Sequence, residues 1–295
     1  MVKRNINGIL LFNKPVGISS NAALQRVKHL FKARKAGHTG SLDKLASGLL
    51  PICLGEATKI SNFLLMADKY YETTLTLGAT TLTGDSEGEI LNTRSTENIT
   101  YPQIEQVVQS FIGSSEQIPP MYSALKHQGQ PLYKLARQGK TIERKSRNIT
   151  IYDIEIQNFI KEHLSIKVHC SKGTYIRTLA EDIGEKLGCG AFVSRLHRIG
   201  VGNYWDMIDY ATLEQQVNTE ELDKLLIPMQ TAVSHWPKIE LSKELAYYIQ
   251  QGQAVQISQA PADGLVQLFL GELFLGIGRV LEDGKIAPKR LINYK

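Results

Sequence analysis

The chain of 295 residues is long enough for one large domain with a small one, or for two medium domains that each bury a core. This length excludes a miniprotein that depends on metal ions or disulfides for its fold. The composition, 42% hydrophobic and 21% charged, excludes disordered and collagen-like chains. A net charge of +5 is too small to identify a polyanionic partner by itself.

The cysteines and the apolar runs indicate the cellular compartment of the protein. Cys53, Cys170 and Cys189 are odd in number and widely spaced, so they predict neither a disulfide framework nor a CxxC zinc site. The apolar run at residues 9–12 is too short for a signal peptide, and no apolar stretch approaches the length of a membrane span. We therefore expect a soluble protein of the reducing cytoplasm.

The first half of the chain predicts interleaved strands and helices. Apolar periodicity and turn residues give a strand at 8–14, a helix capped by Ser19 or Ser20, a glycine-bounded loop at 37–43, an apolar segment at 49–54, a helix at 58–66, a strand at 70–77 and a helix that begins after Thr100.

The second half continues this pattern and then changes. We predict paired strands at 148–159 and 164–170, a helix at 174–187 and a strand at 191–199. The elements do not follow a βαβ rhythm. Composition and periodicity change near 230–240, and short apolar runs separated by turn residues follow from 254 onward. This tail predicts a small β-barrel or sandwich.

The charge is unevenly distributed along the chain. Residues 1–60 carry ten Lys and Arg against two acids, residues 61–120 carry two against eight, and residues 121–150 carry seven against one. Electrostatic binding depends on where like charges cluster, so the two basic segments favour a nucleic-acid partner more than the total does. Some of these basic residues have a simpler explanation, because lysine-rich helices often expose a charged face to solvent.

The loop at 37–43 is the most unusual local feature of the sequence. Glycines bracket His38 in a basic segment, and the carboxylate of Asp43 follows. Such a loop can pass close to a ligand, although an aspartate there is more often a turn or helix-capping residue. The scattered histidines predict no metal site, and neither a P-loop nor a GxGxxG dinucleotide motif is present. We therefore expect no cofactor and no metal.

Several segments together resemble one family. The stretch GHTGSLDKLASGLLPICLGEATKI at 37–60 closely resembles the active-site motif of the TruB-type tRNA pseudouridine synthases. Four further segments resemble other motifs of this family and occur in the same order as in the family: KPVGISS at 14–20, DKYYETTLTLG at 68–78, PPMYSALKHQGQPLYKLARQG at 119–139 and SKGTYIRTLAEDIGEKLGCG at 171–190. Residues 274–292 resemble the RNA-binding PUA module that ends these enzymes.

The resemblance implies a fold and a domain organisation. The fold is α+β, with a mixed, largely antiparallel central sheet flanked by helices, followed by a small C-terminal β-barrel-like domain. We expect the catalytic domain at residues 1–235 and the PUA-like RNA-binding domain at residues 236–295. The family expectation is a monomer.

The resemblance also implies catalytic residues. Asp43 matches the carboxylate that promotes cleavage of the N-glycosidic bond, by attacking the sugar or the base or by stabilising a cationic sugar. Arg177 matches the family arginine that pairs with this carboxylate and opposes the effect of burial on its pKa. Tyr71 matches the tyrosine that stacks on the target uracil, and Tyr70 must point to the opposite face of the strand.

Four further residues are expected to contact the substrate. Leu196 matches an apolar residue beneath the base, with a core leucine as an equally good explanation. His38 is the family candidate for insertion among the loop bases after the uridine is extruded. Lys14, the segment 26–35 and the stretch from Lys126 to Arg147 are candidates for phosphate contacts. One departure is visible, because Lys44 stands where the family has proline, which would restrict the turn after Asp43.

The resemblance implies isomerisation of uridine 55 in the T-loop of tRNA to pseudouridine, without a cofactor, a metal or a membrane. The partner is then the T-arm stem-loop of tRNA. Two other functions are kept open. A non-catalytic RNA-binding or RNA-folding protein would use the basic segments without chemistry, and a nucleoside glycosidase would release free uracil.

Overall fold

The computed structural model describes residues 2–216 and 218–294. Its helices are α1 (Ser20–Leu30), α2 (Ser61–Met66), α3 (Tyr101–Gln109), α4 (Leu132–Ala136), α5 (Ile176–Lys186), α6 (Tyr210–Glu214), α7 (Thr219–Asp223) and α8 (Lys243–Gln250), with 3₁₀ turns at Gly55–Lys59 and Met229–Val233. Its strands are β1 (Gly8–Lys14), β2 (Ala36–His38), β3 (Ser47–Leu54), β4 (Lys69–Leu77), β5 (Ala79–Thr81), β6 (Ile90–Thr93), β7 (Gly113–Gln117), β8 (Lys126–His127), β9 (Gln130–Pro131), β10 (Arg147–Ile160), β11 (His163–Cys170), β12 (Ala191–Val201), β13 (Lys238–Glu240), β14 (Val255–Gln256), β15 (Leu265–Leu270), β16 (Leu273–Val280) and β17 (Lys285–Leu291).

A central sheet of eight strands organises the first 201 residues. Its order is β1-β3-β12-β4-β11-β10-β7, and β2 pairs with β3 beside this path. Only the contact between β3 and β12 is parallel, while the other neighbours are antiparallel. This arrangement confirms the predicted α+β fold with a mixed, largely antiparallel sheet. It also places β3, β12 and β4 side by side. These three strands carry or flank the family motifs.

Local sequence signals set the ends of the helices that cover this sheet. Ser19 caps α1, and its hydroxyl accepts a hydrogen bond from the amide of Ala22 at 3.1 Å. At α3, Thr100 and Gln103 form a capping box, in which the Thr100 amide donates to Gln103 Oε1 at 2.8 Å. The buried faces of α1, α3 and α5 join one apolar core with the sheet. Both capped helices were predicted from the sequence.

The C-terminal strands form a second sheet with a core of its own. The order is β13-β15-β16-β17-β14, with β13 parallel to β15 and the other pairs antiparallel. Helix α8, which the sequence analysis did not identify, packs its Ala246 and Ile249 into this core. The β-rich tail was predicted, and its helix was missed because the run at 243–250 lies just before the turn-rich segment used for the prediction.

The two sheets are joined by a shared apolar cluster. Phe269, Phe274 and Ile277 of the C-terminal sheet pack with Ile9 and Cys53, which lie on the face of β1 and β3 turned away from α1. The Lys59 ammonium donates a hydrogen bond to the Leu291 carbonyl at 2.8 Å across the same junction. The C-terminal unit is therefore fixed against the edge of the central sheet. Within the described residues, no helix has the length and apolar character needed to cross a membrane.

Candidate active site

A cavity of about 380 Å³ lies over the central sheet between β4 and β12. Four parts of the chain surround it: the loop before β3, the end of α2, the segment that precedes β8, and the turn that leads into α5. The lining includes Gly40–Asp43, Leu65, Lys69, Tyr71, Ser123–Leu125, Ser171, Gly173–Arg177, Leu196 and Arg198. Residues from four of the five segments that resemble the catalytic part of the family, all except KPVGISS, therefore meet in one cavity.

The loop that carries Asp43 is held by its neighbours on both sides. The amide of Leu42 donates to the Ser20 hydroxyl at 2.7 Å, and the Ser20 hydroxyl donates to the Leu42 carbonyl at 3.0 Å. The amide of Gly17 donates to the Lys44 carbonyl at 2.8 Å. These contacts hold the turn after Asp43 without the proline of the family motif, and the Lys44 side chain is exposed.

Arg177 holds the carboxylate of Asp43 from inside the protein. Its Nε lies 2.9 Å from Asp43 Oδ2 and 3.7 Å from Asp85 Oδ2, and only 4% of its side chain is exposed. Its two terminal nitrogens donate to the carbonyls of Thr83 and Tyr122, each at 2.7 Å. All three nitrogens are thus engaged, so the guanidinium has a fixed orientation.

The pKa of Asp43 is raised from the ordinary value of an aspartate. Its side chain is 43% exposed to the cavity. Desolvation by the surrounding protein nevertheless raises its pKa, the charge of Arg177 opposes this increase, and the charge of Asp85 adds to it. The pairing with Arg177 agrees with the sequence expectation, but the pair does not bring the pKa down to its usual value. The cavity therefore holds a carboxylate that gives up its proton less readily than a surface aspartate.

Tyr71 and Leu196 lie on neighbouring strands and face the cavity. Tyr71 is 8% exposed and Leu196 is 6% exposed. Tyr70 points to the opposite face, as predicted, where its ring stacks on His169 with centroids 4.0 Å apart. The cavity thus has an aromatic ring and an aliphatic side chain beside the carboxylate, which is a suitable enclosure for a flat base.

Arg198 is a cavity residue that the sequence analysis missed. It is 1% exposed, and no carboxylate forms an ion pair with it in the described part of the chain. Its Nε donates to the Leu49 carbonyl at 2.7 Å, and a terminal nitrogen donates to the Gly40 carbonyl at 3.2 Å. Burial raises the pKa of Tyr71, and the charge of Arg198 and its hydrogen bond to Tyr71 oppose this increase.

The close packing of β3 against β12 explains one glycine near this arginine. Gly48 has φ +103°, and a Cβ on it would lie 2.2 Å from the carbonyl oxygen of Arg198. Only glycine allows the two backbones to approach this closely. Arg198 is therefore placed by backbone contact as well as by its side-chain hydrogen bonds.

Lys14 lies in the interior rather than at the surface position that a phosphate contact requires. Its side chain is 0% exposed, and its Nζ donates to the carbonyls of Pro15 and Ile18 at 2.8 Å each. Burial lowers its pKa to about 8, although the charge of Asp43 opposes this shift. The expected phosphate contact has to be corrected on this ground, because an ammonium group enclosed by protein carbonyls cannot reach an RNA backbone.

Lys69 is a second buried ammonium that the sequence analysis missed. It lines the cavity, and its Nζ donates to the carbonyls of Leu65, at 2.7 Å, and of Ala67, at the end of α2. Burial, together with the charge of Arg198, lowers its pKa to about 8. Lys69 therefore fixes the end of α2 as part of the cavity wall.

His38 and Lys126 lie outside the cavity lining. His38 is on β2 beside Ile52, and burial together with the charge of Arg198 lowers its pKa. In the described residues its Nδ1 is buried without a hydrogen-bond partner. Lys126 is exposed on the short hairpin of β8 and β9, directly after the cavity residues 123–125. The structure thus gives these two residues positions next to the cavity and not within it.

Within the part of the chain that the structure describes, no group of three or more His, Cys, Asp or Glu side chains is arranged to hold a metal ion. The alternation of side chains along a strand could have identified the two missed cavity residues, Lys69 and Arg198. Lys69 is two residues from Tyr71, and Arg198 is two residues from Leu196, so each pair shares a face of its strand. Asp85 gave no such signal, since it lies in a turn between β5 and β6.

Three parts of the chain match known sequence families. Residues 28–176 match the N-terminal domain of the TruB family pseudouridylate synthases. Residues 177–234 match the tRNA pseudouridylate synthase B C-terminal domain, and residues 237–292 match the C-terminal domain of pseudouridine synthase II TruB.

Similar proteins cover nearly the whole chain. The chain is 55% identical over 294 residues to a tRNA pseudouridine synthase B of Nitrosococcus oceani, which covers 98% of this chain and 96% of that protein. It is 50% identical over 302 residues to a tRNA pseudouridine synthase B of Yersinia pestis, with coverage of 98% and 93%. Among solved structures, a chain of a Cbf5-Nop10-Gar1 complex matches with a TM-score of 0.71 and 25% identity, over 98% of this chain and 84% of that chain.

Proposed function

This chain belongs to the TruB family of pseudouridylate synthases, and on that premise we propose that it converts uridine 55 in the T-loop of tRNA to pseudouridine. The names of its relatives supply the tRNA substrate, and they state neither the position nor the arm. The observation that carries the proposal is the ion pair of Asp43 with Arg177, 2.9 Å long, beside the buried ring of Tyr71 in a cavity large enough for a base.

The reaction exchanges one bond of the sugar for another. The bond between C1′ and N1 of uridine breaks, the base rotates, a bond between C1′ and C5 forms, and the hydrogen of C5 is lost while N1 gains one. Asp43 assists the cleavage through a covalent adduct or by stabilising the cationic sugar. Because Arg177 Nε holds Oδ2, Oδ1 is left for the nucleotide.

The other cavity residues position the base. The ring of Tyr71 stacks on the uracil while Leu196 packs against it, and both are already enclosed by the sheet. The Tyr71 hydroxyl, which Arg198 orients, is available for the proton transfer at the base. A base stacked in an RNA loop reaches this enclosure only after extrusion, which costs a few kcal/mol.

The surroundings of the cavity bind the RNA in this proposal. His38 lies on the strand before the Asp43 loop, at a position from which it can contact the loop that the uridine leaves. Lys126 and the basic residues that follow it to Arg147 hold backbone phosphates. The C-terminal unit, residues 236–295, adds a second RNA-binding surface, which is supported by its separate sheet and core.

We also assign the protein a monomeric state and a cytoplasmic location. The monomeric state is proposed from the family resemblance. Cys53, Cys170 and Cys189 are free and buried, which suits a reducing compartment. Light scattering during size-exclusion chromatography measures the first point, and fractionation of cells measures the second.

The test of the function uses the protein at substoichiometric concentration with a T-arm stem-loop. Pseudouridine at position 55, formed over many turnovers and without free uracil, is the expected result. A binding protein would form no pseudouridine, and a glycosidase would release uracil. Either of these two results overturns the proposal. Mapping of pseudouridine in total tRNA from cells with and without the protein then identifies the site in the cellular substrate.

A further inference from the structure

A second cavity lies at the junction of the two sheets, away from Asp43. It measures about 400 Å³, and its walls come from the N-terminal segment, the residues just before β2, the first 3₁₀ turn and the C-terminal tail. Its lining includes Arg4, Asn7, Arg34, Lys35, Glu56 and Tyr294. No step of the proposed reaction uses these residues.

The cavity carries a surplus of positive charge. Among the described lining residues Glu56 alone carries a carboxylate, and it forms an ion pair with Lys59 and accepts a hydrogen bond from the Asn293 amide at 2.7 Å. Arg4 forms an ion pair with Asp223. By contrast, no carboxylate of the described residues lies within 4.0 Å of the charged groups of Arg34 or Lys35.

Glu56 stays ionised in this environment. Its burial acts to raise its pKa, but the hydrogen bonds from Lys59 and the Asn293 amide, with the charges of Lys59 and Lys35, outweigh this and lower the pKa. The carboxylate is therefore neutralised by Lys59 within the protein. Lys35 adds to this neutralisation through its charge, but neither Arg34 nor Lys35 forms an ion pair in the described residues, so both side chains can contact a ligand.

A neutral donor completes the cavity. The Oδ1 of Asn7 accepts a hydrogen bond from the Glu56 amide at 2.7 Å. This contact fixes the side chain, and its amide nitrogen has no hydrogen-bond partner in the described part of the chain. Two cations and one amide donor in a concave surface are suitable partners for a phosphate group.

The wall of the cavity is held in place by both sheets. The Tyr294 hydroxyl donates to the Phe274 carbonyl at 2.7 Å, and the Lys59 ammonium donates to the Leu291 carbonyl at 2.8 Å. The amide of Arg34 donates to the Arg4 carbonyl at 3.0 Å, which joins the segment before β2 to the N-terminal segment. Because these anchors are internal, the cavity exists before any ligand binds.

The position of the cavity relative to Asp43 follows from β3. Gly55, which follows the last residue of β3, lines this cavity, whereas Asp43 comes shortly before its first residue. The eight residues of β3 span about 23 Å of extended chain, and the two sites lie near its opposite ends. A double helix rises on the order of 3 Å per base pair, so this distance corresponds to about seven or eight base pairs.

We propose that this junction cavity binds a backbone phosphate of the helical stem of the RNA whose loop enters the Asp43 cavity. The assignment rests on the proposed function, since it assumes that a structured RNA is the substrate. If both cavities bind the same RNA, affinity depends on the length of the stem. An RNA with a stem long enough to reach Arg34 and Lys35 binds more tightly than one with the same loop and a short stem.

The test compares two RNAs with the same loop, a short hairpin whose stem ends well before this distance and a full-length tRNA transcript. The variant Arg34→Gln/Lys35→Gln removes both free charges. We expect its KM for the tRNA to rise about tenfold and its KM for the short hairpin to change less than about twofold. The dependence of log KM on log salt concentration for the tRNA should weaken by about one to two units of slope.

The matched control is Lys161→Gln/Lys167→Gln, which removes two charges from the hairpin of β10 and β11. It should leave both KM values within about twofold of the parent. An unchanged KM for the tRNA, an equal increase for both RNAs, or the same increase in the control variant overturns the assignment.

A separate measurement keeps this result independent of the chemistry. Fluorescence anisotropy of labelled tRNA gives the Kd of the parent and of both variants without turnover. If the parent forms no pseudouridine, the proposed function fails, while a selective loss of tRNA binding in Arg34→Gln/Lys35→Gln still supports the cavity as a phosphate site. Equal Kd values for the parent and this variant contradict the site in either case.

Discussion

The cations around Asp43 and those of the segment 121–150 differ in burial and in what they contact. Arg177 and Arg198 are 3% and 1% exposed, and both donate to backbone carbonyls. Lys126 is exposed, and the seven Lys and Arg of its segment stand against one acid. Buried cations that bond to the protein fix the geometry of the cavity, whereas exposed ones are free to meet phosphates.

This difference predicts two kinds of defect. Loss of a buried cation leaves carbonyls or carboxylates without a partner inside the protein, so both turnover and the free energy of unfolding should fall. Loss of an exposed cation should weaken RNA binding in a salt-dependent way and leave turnover at saturation unchanged. A buried-cation variant that loses only RNA binding, or an exposed-cation variant that loses turnover or stability, would contradict this distinction.

The largest effect is expected for Arg177→Met. Asp43 and Asp85 would lose the guanidinium that pairs with both, and only the more remote charge of Lys14 would oppose them, so kcat should fall at least about 10²-fold, and the free energy of unfolding should fall by about 3–5 kcal/mol. Arg177→Lys keeps the charge but not the planar fork, and it should recover stability more than kcat. Single-turnover kinetics and urea unfolding measure the two quantities. Wild-type kcat in either variant contradicts the assigned pairing.

A smaller effect is expected for Arg198→Met. The carbonyls of Leu49 and Gly40 lose their donor, which should lower the free energy of unfolding by about 2–4 kcal/mol. Tyr71 loses the charge that opposes the effect of burial, so its pKa should rise further. Urea unfolding and ultraviolet titration of the tyrosines check these outcomes, with Tyr71→Phe in both backgrounds to isolate one ring. A Tyr71 pKa that stays constant would count against the contact.

The pH dependence should change in Asp85→Asn. The charge of Asp85 raises the pKa of Asp43, so its removal should lower that pKa and move the acid limb of kcat/KM to lower pH. The sign is fixed because Asp43 must be ionised to act, and a lower pKa keeps it ionised further into acid. A pH profile with the T-arm stem-loop measures the shift. Movement of the limb to higher pH would mean that Asp85 acts on Asp43 through something other than its charge.

The smallest effect is expected for Lys126→Gln. Its KM for tRNA should rise about threefold with kcat unchanged, and the salt dependence should weaken by about one unit of slope. Lys161→Gln, at the distant tip of the hairpin of β10 and β11, is the control and should behave like the parent. A fall in kcat for Lys126→Gln would show that this residue belongs with the buried group.

Much of the fold was predictable because local signals and periodicity agree with it. The strand at Gly8–Lys14 was predicted with its observed bounds, and the cap at Ser19 marked the start of α1. Helix α5 begins two residues later than predicted, at Ile176, since the turn that precedes it holds the cavity residues 173–175. The order of the strands in the sheet depends on long-range pairing and was not predicted, while the mixed, largely antiparallel character of the sheet came from the family resemblance.

The site residues that belong to a family motif were predictable, whereas those whose role depends on how deeply they are buried were less so. Asp43 and Arg177 were paired from the family segments alone, and their side chains lie 2.9 Å apart. Lys14 was expected to contact phosphate as part of the basic segment at 1–60, but carbonyls of the following turn enclose its ammonium. A sequence gives the charge of a side chain and not the number of protein groups that surround it.

The most direct test of the account separates chemistry from binding at Asp43. Asp43→Asn keeps the size of the side chain and removes the charge that Arg177 holds. We predict that its Kd for tRNA stays within about threefold of the parent, while pseudouridine formation falls at least about 10³-fold. Pseudouridine formed by Asp43→Asn at the parental rate would contradict the central claim that this carboxylate, held by buried cations, performs the reaction.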